Sequence, residues 1–334
     1  MLAFGLLAAA ASCDIGTPEE RVPRAPALVA LSTYPRDAEG ADCSPQSDDD
    51  CGVPVDVAIE VRFDRFVAPD TAVRQSVRLF TGSDQNQRFD LAPEYDLVER
   101  VVRYRLTGGP LEPRTLYTAE LLTPEQPGAF GFRAFDGAPL EPGPVPLRFS
   151  FFTGAATDPL ATPGAAPSCA DIVRLFVGAG CAASACHDAL EAPVGLRLGS
   201  VDDLRETVIA RVARETETGP AAGVPLEDPA RFGVNMPRVD PSRPSHSYLF
   251  YKLLLAPENF APRDAAESAC RSRFRVELPP GECPAPSADE RLRLSEWFVL
   301  GDAMPPPGFA SALPLGRDGL DALHRWIAEG ARCP

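Results

Sequence analysis

The sequence predicts a multidomain chain of two unlike units, an N-terminal all-β sandwich over residues 26–154 and a C-terminal, mainly α domain over 169–334. Three observations predict it. Short stretches of alternating apolar and polar residues recur as far as Gly154, as strands with one buried face require. Residues 155–168 are rich in Ala, Thr, Gly and Pro and read as a linker. Beyond them apolar residues recur at helical spacing, between Pro-rich connections.

Ahead of the sandwich, Leu2 to Ala11 is an apolar run too short to span a bilayer. It ends in Ala10-Ala11-Ser12-Cys13, which resembles a bacterial lipoprotein cleavage site. The resemblance implies a signal peptide over 1–13 and a lipid on Cys13 that holds the chain to a membrane. Residues 14–25 are polar and Pro-rich, as suits a tether. The expected location is the cell envelope, periplasm or outer membrane.

Within the sandwich, Val57-Ala58-Ile59-Glu60-Val61-Arg62-Phe63 alternates as a half-buried strand does. Val77–Phe80, Val101–Leu106, Tyr117–Leu121 and Leu147–Thr153 continue the pattern, separated by Gly, Pro and Asp clusters. Tyr117 reads as core, and Asp48-Asp49-Asp50 as a solvated acidic loop. Three features occur in a fixed order. They are Val61-Arg62-Phe63-Asp64 with Val67-Ala68-Pro69, then Pro110 to Tyr117, then Phe149-Ser150-Phe151-Phe152-Thr153-Gly154. Together they resemble the SbsA-type bacterial Ig-like domains of surface-layer and envelope proteins, where the module is a spacer or adhesion domain.

In the second unit, Ile172, Val173, Leu175 and Phe176 fit a helix ending near Gly178-Ala179-Gly180. Leu204–Ala213, Ser247–Leu255, Arg291–Val299 and Asp318–Glu329 fit four more. In the last, Leu320, Leu323 and Ile327 form an apolar stripe beside Trp326, and Gly330 stands where a C-cap glycine should. His324 beside that stripe reads as a packed core histidine.

Between the first two helices lies Cys181-Ala-Ala-Ser-Ala-Cys186-His187. Two cysteines followed at once by histidine is the pattern of covalent haem attachment, with the thiols on the vinyl groups and the imidazole on iron. Four residues separate the cysteines where two are usual. The order of five features resembles the divergent c-type cytochrome domains of myxobacterial and planctomycete envelope proteins. These are the cysteine motif, Gly195-Leu196-Arg197-Leu198, Val239 to Leu249, Met304-Pro305-Pro306, and Trp326-Ile327-Ala328-Glu329-Gly330-Ala331. The resemblance implies a cytochrome c-like domain with one covalent haem c on Cys181 and Cys186. Iron would be held by His187 and Met304, with Met236 or His246 as alternative ligands. The implied function is one-electron transfer to a redox partner protein in the envelope.

Two other functions stay open at this point. One is a structural or adhesion lipoprotein whose cytochrome-like fold has lost haem and bridges Cys181 to Cys186. The other is a haem peroxidase-like enzyme. A zinc site is a lesser reading of the same cysteines. No nucleotide-binding glycine loop, Gly-x-Ser-x-Gly or His-Glu-x-x-His is present, and no catalytic residue is assigned.

The chain has 334 residues and a net charge of −15, which argues against nucleic acid as a partner. Export implies an oxidising compartment, so cysteines should be paired or ligated. There are nine. Setting aside Cys13, Cys181 and Cys186, three local pairings suggest themselves: Cys43–Cys51, Cys270–Cys283 and Cys169–Cys333. Parity alone does not decide between them and a Cys181–Cys186 bridge.

Overall fold

Alternating side chains build the first half into two sheets. The computed structural model describes residues 26–43, 51–81, 89–124, 129–157, 165–183, 186–187, 195–213, 235–260, 274–276, 285–297, 299, 302–306 and 313–334. The expected signal segment, Cys13, the tether, Asp48-Asp49-Asp50 and the Cys270–Cys283 pair lie outside these residues.

Eight strands are seen among the described residues: β1 (Leu28–Tyr34), β2 (Ile59–Phe63), β3 (Val77–Thr81), β4 (Leu91–Asp96), β5 (Val101–Leu106), β6 (Leu116–Leu121), β7 (Leu140–Glu141) and β8 (Arg148–Phe152). One sheet has the order β4-β5-β2-β1-β7, the other β3-β6-β8. Every pairing is antiparallel except the short β1–β7 contact. Inward side chains such as Val61, Phe63, Tyr104, Tyr117 and Phe151 are wholly buried between the sheets. Tyr117 stacks on Phe151 at 6.0 Å, and its hydroxyl accepts a hydrogen bond from the Glu112 amide at 2.8 Å.

The free edge of β8 is not left open. The Ala38 amide donates to the Ser150 carbonyl, the Phe152 amide to Glu39, and the Val53 amide to Phe152. The segments that cover this edge, around residues 38 and 53, are joined by the Cys43–Cys51 disulfide, whose Cα atoms are 5.7 Å apart. A covered edge cannot recruit a foreign strand.

The second half corrects the expected fold class. Among the described residues the molecule is built on its two β-sheets with few helices, and they form no mainly α cytochrome c-like domain. Its helices are α1 (Cys169–Gly178), α2 (Val201–Asp203), α3 (Tyr248–Leu254), α4 (Ala288–Trp297) and α5 (Gly316–Ala328). Proline is the first physical reason. Pro237, Pro241, Pro244, Pro257, Pro286, Pro305 and Pro306 divide the chain into short pieces that no helix can run through.

The helix expected over Leu204–Ala213 shows a second reason. After α2 a five-residue π-helical turn, Leu204–Val208, ends at Ile209, whose backbone is extended. Ile209 then bridges to Val239, and Val212 to Pro237, so β-branched side chains leave the helix for strand-like contacts.

The helices that do form are specified locally. Ser168 caps α1 in a reciprocal box with Asp171. In α5, Leu320, Leu323, Trp326 and Ile327 are buried, and Gly330 follows with φ +96°, a conformation in which a Cβ would be strained. Close approach also fixes Gly319: a Cβ there would sit 3.0 Å from Leu175 of α1. The Cys169–Cys333 disulfide, with Cα atoms 5.2 Å apart, ties the start of α1 to the residues after α5. One hydrophobic cluster runs without a break from Leu28 and Phe63 in the sheets to Phe176, Phe250 and Trp326 in the helices.

Candidate functional site

The thiol loop begins where α1 stops. Gly180, at φ +76°, turns the chain, and the Cys181 amide donates to Phe176. The Cys186 amide donates to Ala183 at 2.8 Å. The His187 amide then donates to the Cys181 carbonyl at 3.0 Å and folds the second cysteine back beside the first. His187 is itself fixed from outside the loop. Its carbonyl accepts from the Leu198 amide, and its Nδ1 lies 3.2 Å from the Leu196 carbonyl. The imidazole is buried at 8% exposure. Both cysteines are half-buried and carry free thiols. Burial, with the neighbouring Cys186 as the second cause, pushes the Cys181 thiol up to about 11.

The other expected ligands belong to different parts of the fold. Met236 is buried, and its carbonyl accepts from the Ala213 amide. His246 is the last residue of the turn Pro244–His246, with Nδ1 3.3 Å from the Ser245 hydroxyl. Burial and the charge of Arg243 lower it to about 4. His324 is buried edge-on against Phe250, ring centroids 5.9 Å apart. Met304 packs against the main core while its backbone is held on the α3 side. Its amide donates to Lys252 and its carbonyl accepts from the Asn259 side chain at 2.9 Å.

These positions correct the cofactor expectation. Among the described residues no group of three or more His, Cys, Asp or Glu stands where it could hold a metal ion. The described residues form no helical domain that would enclose a macrocycle. The helices bury Phe176, Leu204, Phe250, Leu323 and Trp326 in the core they share with the sheets instead. The covalent haem c at Cys181 and Cys186, with His187 and Met304 or their alternatives on iron, is therefore set aside. The peroxidase-like reading goes with it.

The structure also reveals a polar seam that the sequence did not signal. Arg65, beyond β2, donates through Nε to Glu290 of α4 at 2.9 Å and pairs with Asp136 through Nη2. The other Glu290 oxygen accepts from the Phe66 amide at 2.7 Å. All three side chains are at most 5% exposed. Burial holds the Glu290 carboxyl above its usual range in spite of Arg65. A second pair, Arg317 of α5 with Glu99 in the β4–β5 turn, is 2.7 Å long and equally buried. Phe66 meets Tyr251 of α3 edge-on at 6.0 Å in the same region.

A third contact covers the outer face of the larger sheet. Glu60 accepts from the Arg275 amide at 2.6 Å through one oxygen and from Arg103 at 2.8 Å through the other. Arg103 lies over the Phe274 ring at 4.3 Å, and Arg275 over Tyr34 at 5.3 Å. Phe274 and Val276 bury a small satellite cluster with Val101.

The three-stranded sheet carries a groove of about 740 Å³. Its charges are largely met within it. Arg74 pairs with Asp90 and Arg78 with Glu120, and Arg148 lies over Phe80.

No protein-family model and no curated protein matches the sequence. Solved structures of a bacterial surface-layer protein share a local likeness. The N-terminal part of the S-layer protein SbsC is 13% identical over 38% of this chain and 24% of that one, with a TM-score of 0.26. S-layer protein rSbsC(31–844) is 12% identical over 37% and 13%, with a TM-score of 0.25. SbsC domains 1–6 is 14% identical over 39% and 14%, with a TM-score of 0.26. The chain thus spans less than a quarter of the length of each, and at these scores the likeness carries no argument about function. No helix among the described residues is long and apolar enough to cross a membrane.

Proposed function

We propose that this chain is a structural or adhesion protein of the bacterial cell envelope, exported and anchored by lipid on Cys13, with Cys181 and Cys186 as a pair able to bridge. The observation that carries the reading is the buried seam. Arg65, Asp136 and Glu290, together with Arg317 and Glu99, join parts of the chain more than 200 residues apart and are withdrawn from solvent. These pairs hold the helices against the sheets, which supports a structural role for the seam. Two formed disulfides support passage through an oxidising compartment.

The test is isolation of the full chain from cells that also make a cytochrome c maturation system. The expected product is colourless, gives no haem-stained band, and sediments with membranes. Cys13→Ser should release it from the membrane fraction or block its maturation. A stained band that disappears when both Cys181 and Cys186 are replaced by alanine would overturn the proposal.

A further inference from the structure

The described cysteines fall into two kinds. Cys43, Cys51, Cys169 and Cys333 are closed in pairs, while Cys181 and Cys186 are folded back on each other and left as thiols. The loop between these two is held by backbone bonds at each end: Cys181 to Phe176, Cys186 to Ala183, and His187 to Cys181. Its position is set from outside by residues 196–198 through both the ring and the carbonyl of His187. The bond from the His187 amide to the Cys181 carbonyl brings the chain after the second cysteine back to the first.

We propose that Cys181 and Cys186 form a redox-active dithiol that exchanges with a disulfide, Cys186 being the sulfur that enters and Cys181 the one that resolves. This rests on the structural, haem-free reading above and adds a site and a class of partner to it. The partner is a disulfide-bearing molecule, either a thiol oxidoreductase of the envelope or a small disulfide such as oxidised glutathione. The Cys186 thiolate attacks one sulfur of the partner's S–S bond. That bond breaks, one partner thiolate leaves, and a mixed disulfide forms. Cys181 gives up its proton and attacks the Cys186 sulfur, the mixed bond breaks, and the second partner thiolate leaves. The net change oxidises the two cysteines to one disulfide and reduces the partner to two thiols, with two electrons and two protons transferred.

The order follows from packing. Thiolate is the attacking form; Cys181 lies against the main hydrophobic core, and burial pushes its thiol up to about 11, which makes it the poorer first nucleophile. Cys181 then acts at short range, where proximity compensates for a small thiolate fraction.

The experiment equilibrates the full chain in glutathione buffers of graded ratio. Samples are quenched with acid and alkylated, and each cysteine is read by peptide mass spectrometry, with the visible spectrum recorded on the same sample. The expected result is that the 181–186 bridge opens and closes reversibly at ratios where Cys43–Cys51 and Cys169–Cys333 stay closed. Cys181→Ser should accumulate one glutathione on Cys186, and Cys186→Ser should lose the adduct. A pair that stays reduced in every buffer, or an adduct that builds up on Cys181 in the Cys186→Ser protein instead, overturns the exchange while leaving the structural reading intact. Cysteines that resist alkylation together with a Soret absorption overturn both, because thioether bonds to haem would then have consumed the thiols.

Discussion

Glu290 of α4 and Arg65 beyond β2 stand 2.9 Å apart, 225 residues apart in sequence, and neither side chain exceeds 5% exposure. Each is the other's principal counter-charge, with Asp136 as the third member. Such a group is costly to disrupt on one side only, because the partner stays buried without its charge.

Glu290→Ala should therefore destabilise the chain by about 3–5 kcal/mol, the range for breaking a buried pair. Glu290→Gln, which can still accept from the Phe66 amide, should cost less, about 1–3 kcal/mol. Urea unfolding measures both. Equal losses would mean that the charge and not the amide contact holds α4 in place.

Asn259 joins three segments at once. Its side chain donates to the Leu253 carbonyl and to the Met304 carbonyl, and accepts from the Leu315 amide, all within 2.9 Å in a fully buried position. Asn259→Ala should cost about 3 kcal/mol, since buried backbone groups lose their partners. Hydrogen exchange should rise first at Leu315, ahead of the strands.

The two described disulfides should contribute unequally. On the chain-entropy account, closing the 8-residue separation of Cys43–Cys51 stabilises by about 2.5 kcal/mol, and closing the 164-residue separation of Cys169–Cys333 by about 5. Paired serine replacements, compared by thermal unfolding, should therefore show the larger loss for Cys169 and Cys333.

His246 gives the pH dependence. Its folded-state value is lowered to about 4 by burial and by Arg243, against about 6.5 for an unfolded histidine. Between these values the unfolded chain binds the extra proton, so stability rises with pH there. The contribution is complete above about 6.5 and is lost as pH falls towards 4. Ring-proton resonances followed by NMR should titrate near 4, and His246→Gln should flatten the stability profile between pH 4 and 6.5.

The strands were the legible part, because one-sided burial imposes period two. Val101–Leu106 was read at its observed bounds, and Val77 and Leu121 mark ends where alternation put them. Strand β4 escaped because Pro93 lies inside it, which an edge strand tolerates and a pattern search penalises. Glu60 and Arg62 show the deeper limit. Alternation assigns both to a solvent face, yet they are 3% and 4% exposed, and Glu60 is covered by residues 275 and 276 from more than 200 positions away. Nothing local in either segment announces the other, and the same holds for Arg65 with Glu290. At the cysteine loop the sequence singles out Cys181, Cys186 and His187, and a backbone bond joins His187 to Cys181. It could not tell haem attachment from a pair of adjacent thiols, because spacing records which residues come near one another and says nothing of the volume left between the helices.

Cys333, beyond α5, is bonded to Cys169 at the start of α1. A pull applied beyond Cys333 therefore passes through sulfur to the start of α1 and bypasses the residues between. Under tension the thiol loop, the Asn259 junction and the helices docked on the sheets lie on a slack branch beside the loaded line. A chain under such tension would extend elsewhere first and keep this branch folded.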